Sequence, residues 1–397
     1  MASTQSDSTR PVVPVLSLRG SPYEIGFQHG KQAKPQIDSN IRTYAAFFQE
    51  TAGLTWAEAK QKSTIFIPTL ERLYPEILEE IQGIADGARL DRDDILALNV
   101  RSEISLTNYE DAPGKGPPAI TDGCTGLAQL SKDGSKLILA QNWDWIPDLE
   151  HGMVVLDITT NAGTRLQFMN EAGLVGKIGL NSHGFGLCNN ALKCGALATD
   201  RLPTHIMSRR LLQYAKSYEE GVQLLSDYGG ACATNYILAD ATGKFGDVEV
   251  TPRGNVIVNA LPPSSPDANR ETGQGPSFVA HTNHIVSPPT SFPLAPIYDR
   301  PAPNSFSRIT RMSDLTMNDI KNDVPLTTES VMERLKDRQG APYSICRDSP
   351  ADATGMERMQ TLASIVMEFD VVHGTAKGIL TLGKPVDKGL QRVDLVF

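Results

Sequence analysis

The chain has 397 residues, 40% of them hydrophobic, enough for one large core or two ordinary ones. Its formal net charge of −9, with no basic cluster, argues against nucleic acid or anionic membrane as a partner. No apolar run approaches the roughly 18 residues of a membrane span. The opening MASTQSDSTRPVVP lacks the apolar stretch of a signal peptide, and the closing DLVF is not a Ser-Lys-Leu address, so a cytoplasmic location is expected.

From about Tyr23 to Arg101 the pattern is helical. Ser21 is placed to cap a helix that has Pro22 at its first position. Leu70, Leu73, Ile77, Ile81, Ile84 and Ala88 recur at three- and four-residue steps, which puts them on one helix face. Residues 108–121 read as an exposed linker punctuated by Pro and Gly. After Cys124 short strands follow closely: TGLAQLS, SKLILAQN, GMVVLDITT, TRLQFMN, GLVGKIGLN and GFGLCNNAL. With no helices between them, they predict antiparallel sheet. Helical segments return at about 203–228. TNYILAD, FGDVEV, NVIVNA and SFVAHTNH read as strands, 305–319 and 327–338 as helices, and TLASIVMEFD with AKGILTLGKP as a closing strand pair. Runs of strands and runs of helices predict α+β layers. The Pro-rich loops 262–277 and 286–304 are long enough to border a binding site. There is no internal repeat and no coiled-coil pattern.

Five cysteines, Cys124, Cys188, Cys194, Cys232 and Cys346, form no C-x-x-C, and their number is odd. A disulfide framework is therefore not expected, and a reducing compartment is the default. His281 and His284 in HTNH have no adjacent Glu or Cys and make a poor zinc signature, so no metal is expected.

The segment Asp122-Gly123-Cys124-Thr125-Gly126 carries the chemistry. A thiol of pKa about 8.5 is only slightly ionised near neutrality and needs a proton acceptor. The papain-type signature is absent. The G-x-(nucleophile)-x-G elbow fails too, because Gly123 directly precedes Cys124 and strands follow. A third arrangement fits: scission of Gly123–Cys124 frees an α-amine, with a pKa of about 7.7–8.0, on the nucleophile itself. Gly123 leaves the scissile carbonyl without a neighbouring Cβ. The alternative is that Cys124 is a small buried hydrophobe at a strand start.

Several stretches together resemble the acyl-coenzyme A:6-aminopenicillanic acid acyltransferase family, N-terminal nucleophile hydrolases of the peptidase C45 type. They are SPYEIGFQHG, EEIQGIADGA, LNVRSE, DGCT, QNWDW, NEAGLVGKIGLNSHG, LPTHI, HTNH and YSICR, in matching order from about residue 18 to 385. The resemblance implies an αββα sandwich with two antiparallel sheets between helix layers. It implies one structural domain cut at Gly123–Cys124 into a small subunit, 1–123, and a large one, 124–397, that stay associated. It assigns Cys124 as nucleophile, Asp144 near the cysteine's amine, Asn283 to the oxyanion and Arg347 as an active-site arginine. Asn189 and Asn190, at a strand end directed at the pocket, are candidates for substrate or oxyanion contact. Trp143, Trp145 and Phe168 are read as core, and His183 and His373 receive no role. Two departures stand out: Gly126 replaces a hydroxyl residue, and the C-terminal extension with its peroxisomal address is absent.

The expected activity is acyl transfer from an amide or a coenzyme A thioester to an amine or water through a thioester acyl-enzyme. Coenzyme A enters as a co-substrate rather than a resident cofactor. A pure amide hydrolase of N-acyl amino acids or amino-acid-conjugated amines is the alternative within enzymes. An uncleaved, silent binding protein is the alternative outside them.

Overall fold

The computed structural model describes residues 11–107, 123–258, 277–299 and 302–397. The expected linker 108–121 and nearly all of the loop 262–277 lie outside the described residues. The chain opens with β1 (Val15–Gly20) and continues into helices α1 (Pro22–Gln32), α2 (Lys34–Ala52), α3 (Trp56–Ser63), α4 (Ile67–Leu73), α5 (Pro75–Ala88), α6 (Arg92–Asn99) and α7 (Arg101–Ser105). Ser21 caps α1 as its sequence requires. Its hydroxyl accepts from Glu24 N, while the Glu24 carboxylate accepts from Ser21 N at 2.8 Å. The single apolar face expected over Leu70–Ala88 is split. Pro75, with no N–H and a ring that clashes with the preceding turn, ends α4 and starts α5. The apolar positions still point inward: Leu70, Ile77, Ile81, Ile84 and Ala88 are all buried.

The motifs SPYEIGFQHG and EEIQGIADGA meet in the α1–α5 contact. A Cβ on Gly26 or Gly30 would fall on the carbonyl oxygen of Glu80 or Ile84, and one on Gly83 or Gly87 on that of Tyr23 or Phe27. These paired glycines let the two backbones touch, so the motifs are packing devices.

Beyond Cys124 come β2 (Thr125–Leu130), β3 (Lys136–Trp145), β4 (Met153–Thr160), β5 (Arg165–Glu171), β6 (Ile178–Asn181) and β7 (Phe185–Ala191). Next are α8 (Thr204–Tyr214), α9 (Tyr218–Tyr228), β8 (Thr234–Asp240), β9 (Phe245–Thr251), β10 (Gly254–Val258) and β11 (Phe278–His281). The chain closes with α10 (Pro303–Lys321), α11 (Thr328–Leu335), β12 (Gln360–Asp370), β13 (Thr375–Leu382) and β14 (Gln391–Leu395). One sheet has the order β1-β4-β5-β6-β7-β8-β9-β10, the other β11-β2-β3-β12-β13-β14. The inner faces meet where β2 and β3 pack on β7 and β8. Helices α8 and α9 cover the first sheet, and α10 and α11 cover the second. The fold is thus α+β in four layers, αββα.

Pairing is antiparallel except between β1 and β4, which run parallel. A parallel neighbour needs a long crossover, and the α1–α7 region together with β2 and β3 supplies it. The strand patterns had not revealed β1 or β14. One core cluster runs through the sheet interface into the α1–α7 region; a second lies under α10 and α11. Among the described residues no helix is long and apolar enough to cross a membrane.

Candidate active site

Strand register assembles the site. Thr125 at the start of β2 pairs with Asn142 of β3 and Gly126 with His281 of β11. The same register carries Cys124 and Gly123 alongside Trp143 and Asp144, and brings the β11 end, with Asn283 just beyond it, to the other side. On the far side of β3, Asp144 faces Thr361, where β12 bulges between Thr361 and Ala363. Such bulges re-aim side chains beside functional sites. Asp144 is fully buried against Gly123: a Cβ on Gly123 would overlap the Asp144 side chain and lie 2.6 Å from its Oδ2. Gly123 is therefore required by close approach as well as by any chemistry at its carbonyl.

Asp144 Oδ1 accepts from Thr361 Oγ1 at 2.7 Å, and the same hydroxyl oxygen accepts from Arg347 N at 2.9 Å. Arg347 is buried, donates through Nε to Met359 O at 3.1 Å, and lies 5.2 Å from the Tyr343 ring centre. Thr361 thus links Asp144 to Arg347.

Sequence reasoning missed Thr361 and, nearest the scissile bond, Arg308. It lies on α10, 1% exposed, and its Nη1 donates to Gly123 O at 3.0 Å, to Thr125 Oγ1 at 3.0 Å and to Cys124 O. Its Nη2 donates to Asn283 Oδ1 at 2.9 Å. One guanidinium therefore holds the carbonyl of the Gly123–Cys124 bond and that of the bond after it, and fixes the Asn283 amide. Asn283 Nδ2 donates to Ala191 O at 3.1 Å, and its backbone N–H to Ser305 Oγ at 2.9 Å. A signal for Arg308 was present: Ser305, Arg308, Met312 and Thr316 form the buried stripe of α10. An arginine on such a stripe demands buried acceptors.

Of the two paired asparagines, Asn189 lines the cavity beside Cys124. Asn190 is fully buried and engaged elsewhere, its Oδ1 accepting from Gln141 Nε2 at 2.9 Å and its Nδ2 donating to Asn235 Oδ1 at 2.8 Å. Gly126 also finds its reason here. A Cβ on it would lie 2.7 Å from Ile237 Cδ1 and 3.4 Å from Asn190 Nδ2, so the facing sheet fills the place of the hydroxyl side chain. In HTNH, His281 uses Nδ1 on Thr282 O at 2.9 Å and Nε2 on Glu249 at 3.0 Å, and His284 Nδ1 lies 2.8 Å from Ser305 Oγ. The two imidazoles brace the turn that carries Asn283. Among the described residues no group of three His, Cys, Asp or Glu is arranged to hold a metal.

The cavity beside Cys124 has a volume of about 40 Å³ and is lined among others by Arg101, Trp143, Trp145, Lys177, Asn189 and His205. Arg101 Nη2 donates to Glu171 Oε1 at 2.7 Å, and Lys177 and Tyr44 donate to the same carboxylate. Burial acts to raise the Glu171 pKa, but the Arg101 and Lys177 cations hold it well below the usual carboxylate range. Burial pulls Lys177 down to about 8 against the opposing pull of Glu171. Burial, reinforced by Arg101, also keeps His205 well below its ordinary value and hence neutral. Burial pushes Cys188 well up, so it is inert.

The family model described as acyl-coenzyme A:6-aminopenicillanic acid acyl-transferase matches residues 130–381. The acyl-coenzyme A:6-aminopenicillanic-acid-acyltransferase 40 kDa form of Emericella nidulans is 28% identical over 372 residues, covering 93% of this chain and 92% of its own. The beta-alanyl-dopamine/carcinine hydrolase of Drosophila melanogaster is 23% identical over 276 residues, 64% of this chain and 68% of its own. Among solved structures, a variant of the conjugated bile acid hydrolase from Clostridium perfringens aligns with a TM-score of 0.45 at 15% identity, covering 68% of this chain and 92% of that one. The penicillin V acylase of Agrobacterium tumefaciens aligns with a TM-score of 0.42 at 12% identity, covering 68% and 86%. The matched segment takes in Asp144, Asn189, Asn283, Arg308 and Arg347, and its extent makes the chain a member of the acyl-coenzyme A:6-aminopenicillanic acid acyl-transferase family.

Proposed function

We propose that this protein is a self-processing cysteine N-terminal nucleophile enzyme, an acyltransferase/amidohydrolase that cuts itself between Gly123 and Cys124. The observation that carries this reading is the contact of Arg308 Nη1 with Gly123 O at 3.0 Å, beside a buried cysteine. A cation fixed on that carbonyl stabilises the negative charge that develops when a nucleophile adds to it. In the cut, the Cys124 thiol adds to the Gly123 carbonyl carbon. The C–N bond breaks, with the thiol proton going to the departing nitrogen, and water then releases the Gly123 carboxylate. The products are 1–123 and 124–397, held together by the shared core.

In the mature enzyme the new α-amine takes the thiol proton, as its pKa near neutrality permits. Asp144, packed against Gly123 beside the new terminus, orients this ammonium and keeps it basic. The thiolate attacks an amide or a coenzyme A thioester, and the acyl group passes to an amine or water. Asn283, its Oδ1 held by Arg308, turns its Nδ2 to the oxyanion. The backbone N–H of Arg347 fixes the Thr361 hydroxyl, which holds Asp144. Asn189 contacts substrate, and Asn190 supports it through Gln141. The sulfur chemistry is complete without a metal or organic cofactor. Relatives named as an acyltransferase and as a hydrolase support a shared acyl-enzyme.

Intact-mass measurement of the purified protein tests this. Two chains, the larger beginning Cys-Thr-Gly, and an acyl adduct on that chain after incubation with a donor are expected. One persistent 397-residue chain without adduct overturns the reading in favour of a silent binding protein. Thioester-dependent amide synthesis separates a transferase from a pure hydrolase, which is indifferent to coenzyme A.

A further inference from the structure

The cavity beside Cys124 contains more buried cation than the proposed chemistry uses. Arg101 and Lys177 both line it, and among the described residues Glu171 is the carboxylate that pairs with both. Lys177 is 2% exposed and Arg101 6%, so neither charge is solvated by bulk water. Lys177 Nζ sits 3.4 Å from the centre of the Trp143 ring, and Arg101 Cζ 5.3 Å from that of Trp145, two aromatic faces that hold the cations at the cavity wall. The other nearby carboxylate, Glu103, acts on Arg101 through its charge but makes no hydrogen bond to it; its Oε1 accepts from Thr204 N at 2.8 Å and from Cys232 Sγ at 3.1 Å. His205, on the same wall, is neutral, its Nδ1 directed to Gly176 O at 3.3 Å.

Two buried polar atoms of this wall, Arg101 Nε and His205 Nε2, have no hydrogen-bond partner among the described residues. Buried donors and acceptors are normally satisfied. The space of about 40 Å³ is close to the share of one or two small groups and far below that of a nucleotide phosphate chain. The charge calls for an anion, and the size restricts it to a compact one.

We propose that Arg101 and Lys177 form a carboxylate subsite beside Cys124, so that the enzyme takes amides bearing a free carboxylate close to the scissile bond, as N-acyl amino acids do. This inference rests on Cys124 being the nucleophile. The subsite anchors one end of the amide while the Cys124 sulfur meets its carbonyl, and binding energy from the anchor goes into orientation.

The test uses alkylating probes on the full chain, followed by intact mass. Iodoacetate and iodoacetamide place the same carbon on the thiolate and lose iodide, but only iodoacetate carries a carboxylate. The ratio of iodoacetate to iodoacetamide rates at Cys124 is expected to exceed that in the unfolded chain by about tenfold or more, as a desolvated cation pair implies. Lys177→Met should bring the ratio down towards the unfolded value, as should Arg101→Gln. Lys177→Arg should retain most of it, which separates charge from packing and covers a folding failure of the Arg101 variant. Equal ratios in folded and unfolded wild-type protein overturn the subsite. The same spectra report cleavage, so an uncut chain with a raised ratio refutes the processing reading and leaves the subsite standing. With amide substrates, a matched carboxamide should lose about tenfold in kcat/KM against the carboxylate. Pairs with the carboxylate on the acyl or the amine side show which half of the substrate is held, and no preference in either pair overturns the proposal.

Discussion

The α1–α5 contact and the pocket around Cys124 are both built from the most recognisable stretches of the chain, yet they are built in opposite ways. In the first, four glycines remove side chains so that backbone meets backbone, and the side-chain hydrogen bond that joins the two helices, from Tyr23 Oη to Asp86 Oδ2 at 2.9 Å, is exposed. In the second, buried Arg308, Asp144, Arg347, Arg101, Glu171 and Lys177 crowd the interface of two sheets with charge. Burying charge is costly unless it is paired, so the second region is retained for what it does and the first for how it packs. A motif's distinctiveness in sequence therefore does not separate the two, for EEIQGIADGA also buries a charge, Glu80, paired with Arg209 at 2.7 Å; what separates them is that the charges around Cys124 line a cavity.

This contrast can be broken or sharpened by substitution. The largest effect is expected from Cys124→Ala, which should leave a single 397-residue chain with no measurable turnover while the thermal midpoint stays near that of the uncut protein. Turnover persisting in this variant refutes the role of the sulfur. Arg308→Gln should slow self-cleavage by roughly 10²–10³, the usual cost of losing a fixed oxyanion donor. The time course of chain separation on denaturing gels measures it, and an unchanged rate would make Arg308 only a brace for Asn283. Gly83→Leu should do the reverse, lowering stability by about 2–3 kcal/mol through overpacking, with cleavage per folded molecule unchanged. Denaturant midpoints read alongside intact mass decide this.

Two smaller effects concern pH. Lys177 titrates at about 8 in the folded chain, so preference for a carboxylate substrate should fade as pH rises through 8. A preference constant up to pH 10 would assign the charge to Arg101 alone. In the brace behind Asn283, Asp247 is raised to about 7 by burial, while His281 is raised to about 9 by Asp247 and Glu249 against the opposing effect of burial. Both groups bind more protons folded than unfolded. Their contribution to stability is therefore present at low pH and lost as pH rises, through 7 for Asp247 and through 9 for His281. His281→Gln should flatten the fall in thermal midpoint between about pH 6.5 and 9.

Much of this organisation was legible beforehand because it depends on near neighbours in the chain. The Ser21 cap, the strand patterns after Cys124 and the amphipathic α10 and α11 are local, and local spacing reports them. Pro75 was equally visible, but its effect on the run from Leu70 to Ala88 was masked by an apolar period that continued across the break. The edge strands β1 and β14 went unread although burial alternates along both: in β1, Leu16 and Leu18 are buried between exposed neighbours.

The order of residue types determined that a cysteine follows a glycine at the head of a strand-rich segment, and the neighbouring motifs carried the family resemblance. Only the packed structure decided which groups surround that cysteine. Arg308 reaches Gly123 across 185 positions of chain, and Thr361 reaches Asp144 across 217. Arg101 and Lys177 meet at Glu171 because a helix and a strand end converge on one buried carboxylate. Such partnerships arise from sheet register and layer packing, which bring together residues whose spacing along the chain carries no period to read.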